Sequence, residues 1–436
     1  MSLLQEFIHS FNQFESDAKL FSLRNTHGLP WWDLVRFQVQ YALCVENNIY
    51  RNRRILEKKT KGIFVALRRL LILSWRLFCD IINIQCFALR RPKLIVVYTR
   101  SLSLDDIAIV AESERNKPIL LVNTDGSACS PHAAIHFQSI DLLVRILGKF
   151  QRLSPNVLHD VNRISALIGS YFKSDLDFFA IITKKYREEM ASRLVWSLIL
   201  RQFSAVNKVV YINNDKLKSL VVLSREKGLC TYELQHGYIG STHIGYSYPK
   251  LNGLVPSLPH WVIVKRNTGD IGYPVKQLFI YPRSVHNASN VRDIDVLIGV
   301  SPTYRMETVD IIRVMVGKGY RLAVKLHPSD NNQRLEIERS LRGGDYKLYA
   351  GSDDFCWLAS RSCIYIPSHA LSTTVFEAIE MGAFVISVNY HGNAISAAVD
   401  GLASVSVETI QDLPLAVWSH LSAIKKQRLS GVEVDL

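Results

Sequence analysis

CIYIPSHALSTTVFEAIEMGAFVISVN, residues 363–389, decides the fold. An apolar run rich in β-branched residues ends at Ile366 and gives way to a polar stretch of serine and threonine. A helix pattern then carries the chain to Met381 and Gly382, and a second apolar run, AFVISVN, follows. Strand, helix and strand in this order imply a right-handed crossover between parallel strands. The polar stretch then lies at the carboxyl end of the first strand, where open parallel sheets bind ligands.

The same alternation extends upstream. IDVLIGVSP (294–302), YRLAVKLHP (320–328) and YKLYAG (346–351) read as strands, and the stretches Tyr304–Lys318, Asn331–Arg342, Asp353–Ser360 and Ser372–Met381 read as helices. A second α/β region precedes this one. KLIVVYTR (93–100), PILLVNTDG (118–126), AIHFQSID (134–141), KVVYINND (208–215), LCTYELQHG (229–237) and HWVIVKR (260–266) have strand character. Long helical patterns fill the interval from Asp141 to Ser204 as an insertion, and the turn-rich SVHNASNVRD (284–293) reads as the linker. Residues 1–92 have helical character, with a mostly buried pattern in LPWWDLVRFQVQYALCVEN (29–47). The expected organisation is a helical segment over 1–92, an α/β domain over 93–285 and another over 294–436.

The 436 residues are 48% hydrophobic and 21% charged, an ordinary globular balance for a chain of about two domains. The seven cysteines form no CxxC pair, which fits reduced thiols in the cytoplasm. The first twenty residues lack a basic region followed by a long apolar core, so no signal peptide is expected there. The net charge of +13 is uneven. Between Arg51 and Lys93 twelve basic residues face only Glu57 and Asp80. Arg68, Arg69, Arg76 and Asp80 interrupt the apolar stretch of residues 62–89, which reads as amphipathic rather than membrane-spanning. It fits either contact with anionic lipid or a packed helix with a solvated basic face. Nucleic acid is not an expected partner, since no recognition motif accompanies the charge.

Three segments carry candidate chemistry. Ser368, Ser372, Thr373 and Thr374 precede or open a helix, where free amides and the dipole suit a phosphate, and Glu377 lies about one turn in. The same residues could simply cap the helix. In KLHPSD (325–330), Lys325, His327 and Pro328 end a strand, and a cationic His can donate to a phosphate oxygen. In LQHGYIGS (234–241), Gln235, His236 and Gly237 end another strand. His236 is a candidate base, with Glu233 as partner and His243 on the acceptor side. Asp105, Asp106 and Asp125 are alternative bases, or turn residues. Ser301 and Arg305 mark a further helix start that could face a diphosphate. No metal-ligand cluster is legible, and Asp353-Asp354 reads as a helix cap.

In this order the three segments resemble bacterial surface-polysaccharide glycosyltransferases of the GT-B type. K-x-HP is similar to the HP motif of sialyltransferases, Kdo transferases and polyglycerolphosphate polymerases, and HG to a motif of polyol-phosphate transferases. The resemblance implies two Rossmann-like domains facing a cleft, with donor contacts from Lys325, His327, Pro328, Ser368, Ser372, Thr373, Thr374, Glu377, Ser301 and Arg305. It implies Gln235, Gly237 and His243 on the acceptor side, with His236 and Glu233 joining His327 in catalysis. Many retaining GT-B enzymes carry a Glu eight positions before the ribose-binding Glu. His369 stands there in this chain, which leans towards inversion. The expected activity is sugar transfer from a nucleotide-activated donor to a lipid-linked glycan of capsule or O-antigen type, without metal or other cofactor. The expected location is the cytoplasmic face of the inner membrane, with the bilayer surface or other assembly enzymes as partners. The alternatives are a CDP-polyol phosphotransferase, a sugar-nucleotide 2-epimerase, or a non-catalytic glycan-binding or assembly protein.

Overall fold

In a computed structural model the described residues are 3–47, 49, 63–89, 91–98, 119–123, 133–212, 214–234, 244–250, 255, 257–264, 276–279, 292–300, 305–327, 333–341, 344–367, 373–388 and 404–429. The chain forms two compact units. One is Phe7–Ile280, and the other is Tyr281–Leu436 together with Met1–Glu6. The linker expected over 284–293 lies outside the described residues, except for Arg292 and Asp293.

Three helices come first: α1 (Leu3–Asp17), α2 (Trp32–Glu46) and α3 (Ile63–Leu89). The first sheet is then built from β1 (Leu94–Tyr98), β2 (Ile119–Asn123), β3 (Ala133–His136), β4 (Lys208–Ile212), β5 (Cys230–Leu234), β6 (Trp261–Val264) and β7 (Lys276–Phe279). Its order is β3-β2-β1-β4-β5-β6-β7, with every pairing parallel. Leu94, Ile95, Val96 and Val97 are all buried, as in a strand covered on both faces. Helices α4 (Phe137–Phe150), α5 (Pro155–Phe172) and α6 (Phe178–Gln202) fill the predicted insertion, and α7 (Asn214–Glu226) joins β4 to β5.

Two details of the first sheet differ from the sequence reading. AIHFQSID is strand only to His136, and its second half opens α4. The cause is tertiary: Asp80 on α3 accepts from the His136 backbone N–H at 3.1 Å, placing a carboxylate at the amino end of α4. KQLF (276–279) forms the edge strand β7, which its composition does not announce.

The second sheet comprises β8 (Ile294–Gly299), β9 (Leu322–Lys325), β10 (Lys347–Tyr349), β11 (Ser362–Pro367), β12 (Phe384–Val388) and β13 (Val405–Val407). Its order is β10-β9-β8-β11-β12-β13, again wholly parallel. The helices are α8 (Arg305–Met315), α9 (Gln333–Ser340), α10 (Phe355–Ser360), α11 (Thr373–Glu380) and α12 (Leu413–Leu429). Counted from its own first strand, each sheet begins 3-2-1-4-5-6, the Rossmann order. The chain therefore contains two Rossmann-like α/β domains with parallel sheets, preceded by helices.

Those helices are tied into the first unit by buried charge. Arg36 on α2 grips Glu15 on α1 with both ends of its fork, Nε to Oε1 at 2.7 Å and Nη2 to Oε2 at 3.0 Å. Trp32 Nε1 donates to the same carboxylate at 2.8 Å. Arg36 Nη2 also donates to the Ser247 carbonyl at 2.6 Å, and the guanidinium lies 4.2 Å from the Tyr248 ring centroid. Beside it, Lys218 on α7 and the Tyr248 hydroxyl both donate to Asp33 Oδ1 at 3.0 Å. Asp33 and Arg36 are the only charged residues in LPWWDLVRFQVQYAL, and both are buried in ion pairs. Trp31 and Trp32 are core residues.

Candidate functional site

In the second unit the topological switch point lies between β8 and β11, where the strand order runs outward in both directions. The register aligns Gly299, the last residue of β8, with Lys325 on β9 and with Pro367 on β11. Three strands thus end in one row. From that row leave the segments that carry Ser301 and Arg305, His327 and Pro328, and Ser368 through Thr374. Ser301, Pro328, Ser368 and Ser372 themselves lie outside the described residues. Arg305 and Thr373 are the first residues of α8 and α11.

Close packing builds the floor of this row. Tyr365 on β11 is buried, and a Cβ at Gly299 would collide with its hydroxyl and lie 3.2 Å from the ring carbons Cε2 and Cζ. Only a residue without a side chain leaves that space. The Tyr365 hydroxyl shares a hydrogen bond of 2.7 Å with Thr374 Oγ1. Burial holds the phenol well above its ordinary pKa, and the Glu377 carboxylate pushes it further. Thr374 and Glu377 therefore belong to one polar group beneath the start of α11. Past the end of α11 stands Gly382, whose positive φ lets the Ala383 N–H return to the Ala378 carbonyl at 2.9 Å.

Lys325 is buried, and its Nζ donates to the carbonyls of Leu326 at 3.1 Å and Gly351 at 2.9 Å. Burial lowers its pKa, opposed by Asp353 and Asp354. The ammonium thus pins the end of β9 to the turn after β10. His327, two residues on, is exposed. Asp354 caps α10, accepting from Cys356 N at 2.8 Å and Trp357 N at 3.3 Å. Among the described residues no group of three or more His, Cys, Asp or Glu is placed to hold a metal ion.

In the first unit Glu233 is fully buried on β5 and accepts from the Tyr246 hydroxyl at 2.6 Å. Its register partner on β4 is Tyr211, also buried. Burial, with Glu233 and Tyr248 adding to it, raises the Tyr211 phenol well above its ordinary pKa. Gln235, His236, Gly237 and His243, with Asp105, Asp106 and Asp125, lie outside the described residues. What is described is the frame around residues 235–243: β5 before them, and after them residues 244–248, clamped by Arg36, Lys218 and Glu233. The Arg36–Glu15 and Lys218–Asp33 pairs were not singled out from sequence. Asp33 and Arg36, two charges isolated in an apolar helical pattern, are the signal that could have found them.

No family model matches the chain, and no curated protein matches it in sequence. Matches among solved structures are distant. MurG of Acinetobacter baumannii is 11% identical over 78% of this chain and 92% of its own, with a TM-score of 0.41. UDP-GlcNAc 2-epimerase of Neisseria meningitidis, bound to UDP-GlcNAc, is 11% identical over 77% and 92%, at 0.42. A glycosyltransferase of Rickettsia africae is 12% identical over 77% and 89%, at 0.37. Such scores are too low to carry a site or an activity across to this chain.

Proposed function

We propose that this protein is a glycosyltransferase that moves a sugar from a nucleotide-activated donor to a lipid-linked surface glycan of capsule or O-antigen type. The observation that carries the reading is the row Lys325–Gly299–Pro367. The segments that follow these strand ends are the K-x-HP segment, the Ser301–Arg305 segment and the Ser/Thr segment, and a nucleotide diphosphate at such a switch point would meet the positive ends of two helices.

In this reading the second unit holds the donor. His327 and Arg305 meet the diphosphate, Ser301, Ser368, Ser372 and Thr373 add donors, and Glu377 accepts from a ribose hydroxyl. Lys325, Pro328 and Thr374 shape the loops. The first unit holds the acceptor through Gln235, Gly237 and His243. His236 takes the proton of the acceptor hydroxyl as its oxygen bonds to the anomeric carbon. The bond from that carbon to the phosphate oxygen breaks on the opposite face, so the configuration inverts. The nucleotide leaves with its charge met by His327 and Arg305 rather than by a metal. Glu233, buried and bonded to Tyr246, holds the strand that leads to His236. The enzyme works in the cytoplasm at the inner membrane, where such acceptors are anchored.

Thermal shifts of the full chain with UDP, GDP, dTDP, CMP and CDP test this reading. A ligand at a hundred times its dissociation constant stabilises by about 2.7 kcal/mol. One nucleotide is expected to raise the midpoint clearly. Response to none of them overturns the reading in favour of a non-catalytic glycan-binding protein. Turnover of a CDP-polyol in place of a nucleotide sugar reassigns the chain to polyol-phosphate transfer.

A further inference from the structure

Helix α3 is 27 residues long, about 40 Å at 1.5 Å per residue. It uses one side to join the first unit. Asp80 is buried and meets His136 through its backbone N–H and, at 2.9 Å, its Nδ1. Arg76 donates to Gln138 Oε1 at 2.8 Å, and Ile84 and Ala88 pack on the main core. Positions 76, 80, 84 and 88 recur every fourth residue and form a single face.

The opposite face is apolar and open. Trp75 is 67% exposed, Phe78 55%, Ile82 48% and Leu89 85%, at spacings of three, four and seven. The Trp75 and Phe78 rings lie 5.9 Å apart, and Ile72 and Ile81 flank the stripe, also exposed. A surface helix normally turns polar residues to water, and an exposed apolar stripe, broken here by Gln85 and Cys86 between Ile82 and Leu89, marks an interaction site.

Charge identifies what covers it. Asp80 is the only acidic residue of α3, and it is turned into the core. The surrounding stretch from Arg51 to Lys93 is strongly basic. Two copies pairing through α3 would each carry this charge excess in the same stretch of chain, which opposes self-association. An anionic bilayer attracts the cations and accepts the aromatic and aliphatic stripe at its headgroup boundary. Because α3 is fastened from Arg76 to Ala88, this part of it can only lie flat. Among the described residues no helix is long and apolar enough to cross a membrane.

We propose that the outward face of α3, Trp75, Phe78, Ile82 and Leu89, docks on an anionic lipid surface. This gives the membrane contact of the proposed function its apolar element and does not depend on the transfer reaction.

Flotation of the full chain with vesicles of phosphatidylcholine, alone or mixed with phosphatidylglycerol, tests it. The protein is expected to float with the anionic vesicles and to lose binding as salt rises. Trp75→Gln with Phe78→Gln is expected to lower the partition constant at least about tenfold, since each aromatic loses its burial. Ile82→Gln, at a separate position on the stripe, is expected to weaken binding as well, and Trp418→Gln, exposed on α12, to leave it unchanged. Brominated lipid should quench tryptophan fluorescence less in Trp75→Phe than in wild type. Unchanged thermal midpoints show that the variants fold. Wild-type protein that does not float, or stripe variants that float equally well, overturns the proposal. So does self-association in sedimentation velocity that the same substitutions abolish, which assigns the face to a second copy. A nucleotide response that survives loss of vesicle binding leaves the transferase reading intact.

Discussion

Tyr365 reaches across β8 because Gly299 has no side chain, and its hydroxyl then bonds Thr374 at the start of α11. The contact joins the two strands that flank the switch point to the helix that follows them. Gly299→Ala is expected to overpack this point and cost about 1–3 kcal/mol. Tyr365→Phe removes the hydroxyl that the new methyl would strike. The double variant should therefore be more stable than the two single losses added together, as read from urea midpoints.

Glu377→Ala is expected to weaken nucleotide binding and leave acceptor binding unchanged. The carboxylate is half-buried beside the Tyr365 phenol, one turn into α11. Isothermal calorimetry with the nucleotide found in the thermal-shift panel provides the check. Unchanged affinity would restrict Glu377 to holding the helix start.

His327→Ala is expected to slow transfer about 100-fold to 1,000-fold, the usual cost of removing one preorganised donor to a developing anion. The side chain is exposed, so the folded state should be little affected. A rate within a few-fold of wild type would remove His327 from the reaction.

Arg36→Leu is expected to cost the first unit about 3–5 kcal/mol, because Glu15 is left buried without its partner. Burial already pushes the Glu15 carboxyl upward against the pull of Arg36. Replacing both residues, Glu15→Leu with Arg36→Leu, should recover part of the loss. Denaturation midpoints of the single and double variants decide it, and an equal or larger loss in the double variant would contradict the pairing.

His260 gives a pH dependence of known sign. Its Nδ1 accepts from the Thr231 backbone N–H at 3.2 Å and faces the Thr231 hydroxyl at 2.8 Å, at the start of β5. Burial, with Arg225 adding to it, lowers its pKa below 6.5. Between that lowered value and 6.5 the unfolded chain binds more protons than the folded one, so stability falls as the solution is acidified through this window. His260→Gln should flatten this part of the profile in thermal melts between pH 7 and pH 5. A profile identical to wild type would show that His260 does not contribute.

The alternation of β-branched runs with helix patterns was enough to read two parallel α/β regions, since that periodicity is a local property of the chain. The candidate segments were legible for the same reason: polar residues at the end of an apolar run are visible without any neighbour. The position of Asp354 marks it as a cap, and its side chain accepts from the first amides of α10.

Tertiary structure alone decided the rest, because it depends on which strands become neighbours and which side chains leave water. Strand order and register placed Lys325, Gly299 and Pro367 in one row, though they are far apart in sequence. Packing drew Lys325 onto two carbonyls and Tyr365 over a glycine. Burial turned Asp33 and Arg36, two charges in an apolar helix, into the anchors of residues 244–248. In α3 the sequence determined the amphipathic stretch and its excess of basic residues. Which face is open was set by Asp80 and His136, whose hydrogen bonds turn the only carboxylate of the helix inward and leave Trp75 and Phe78 outside.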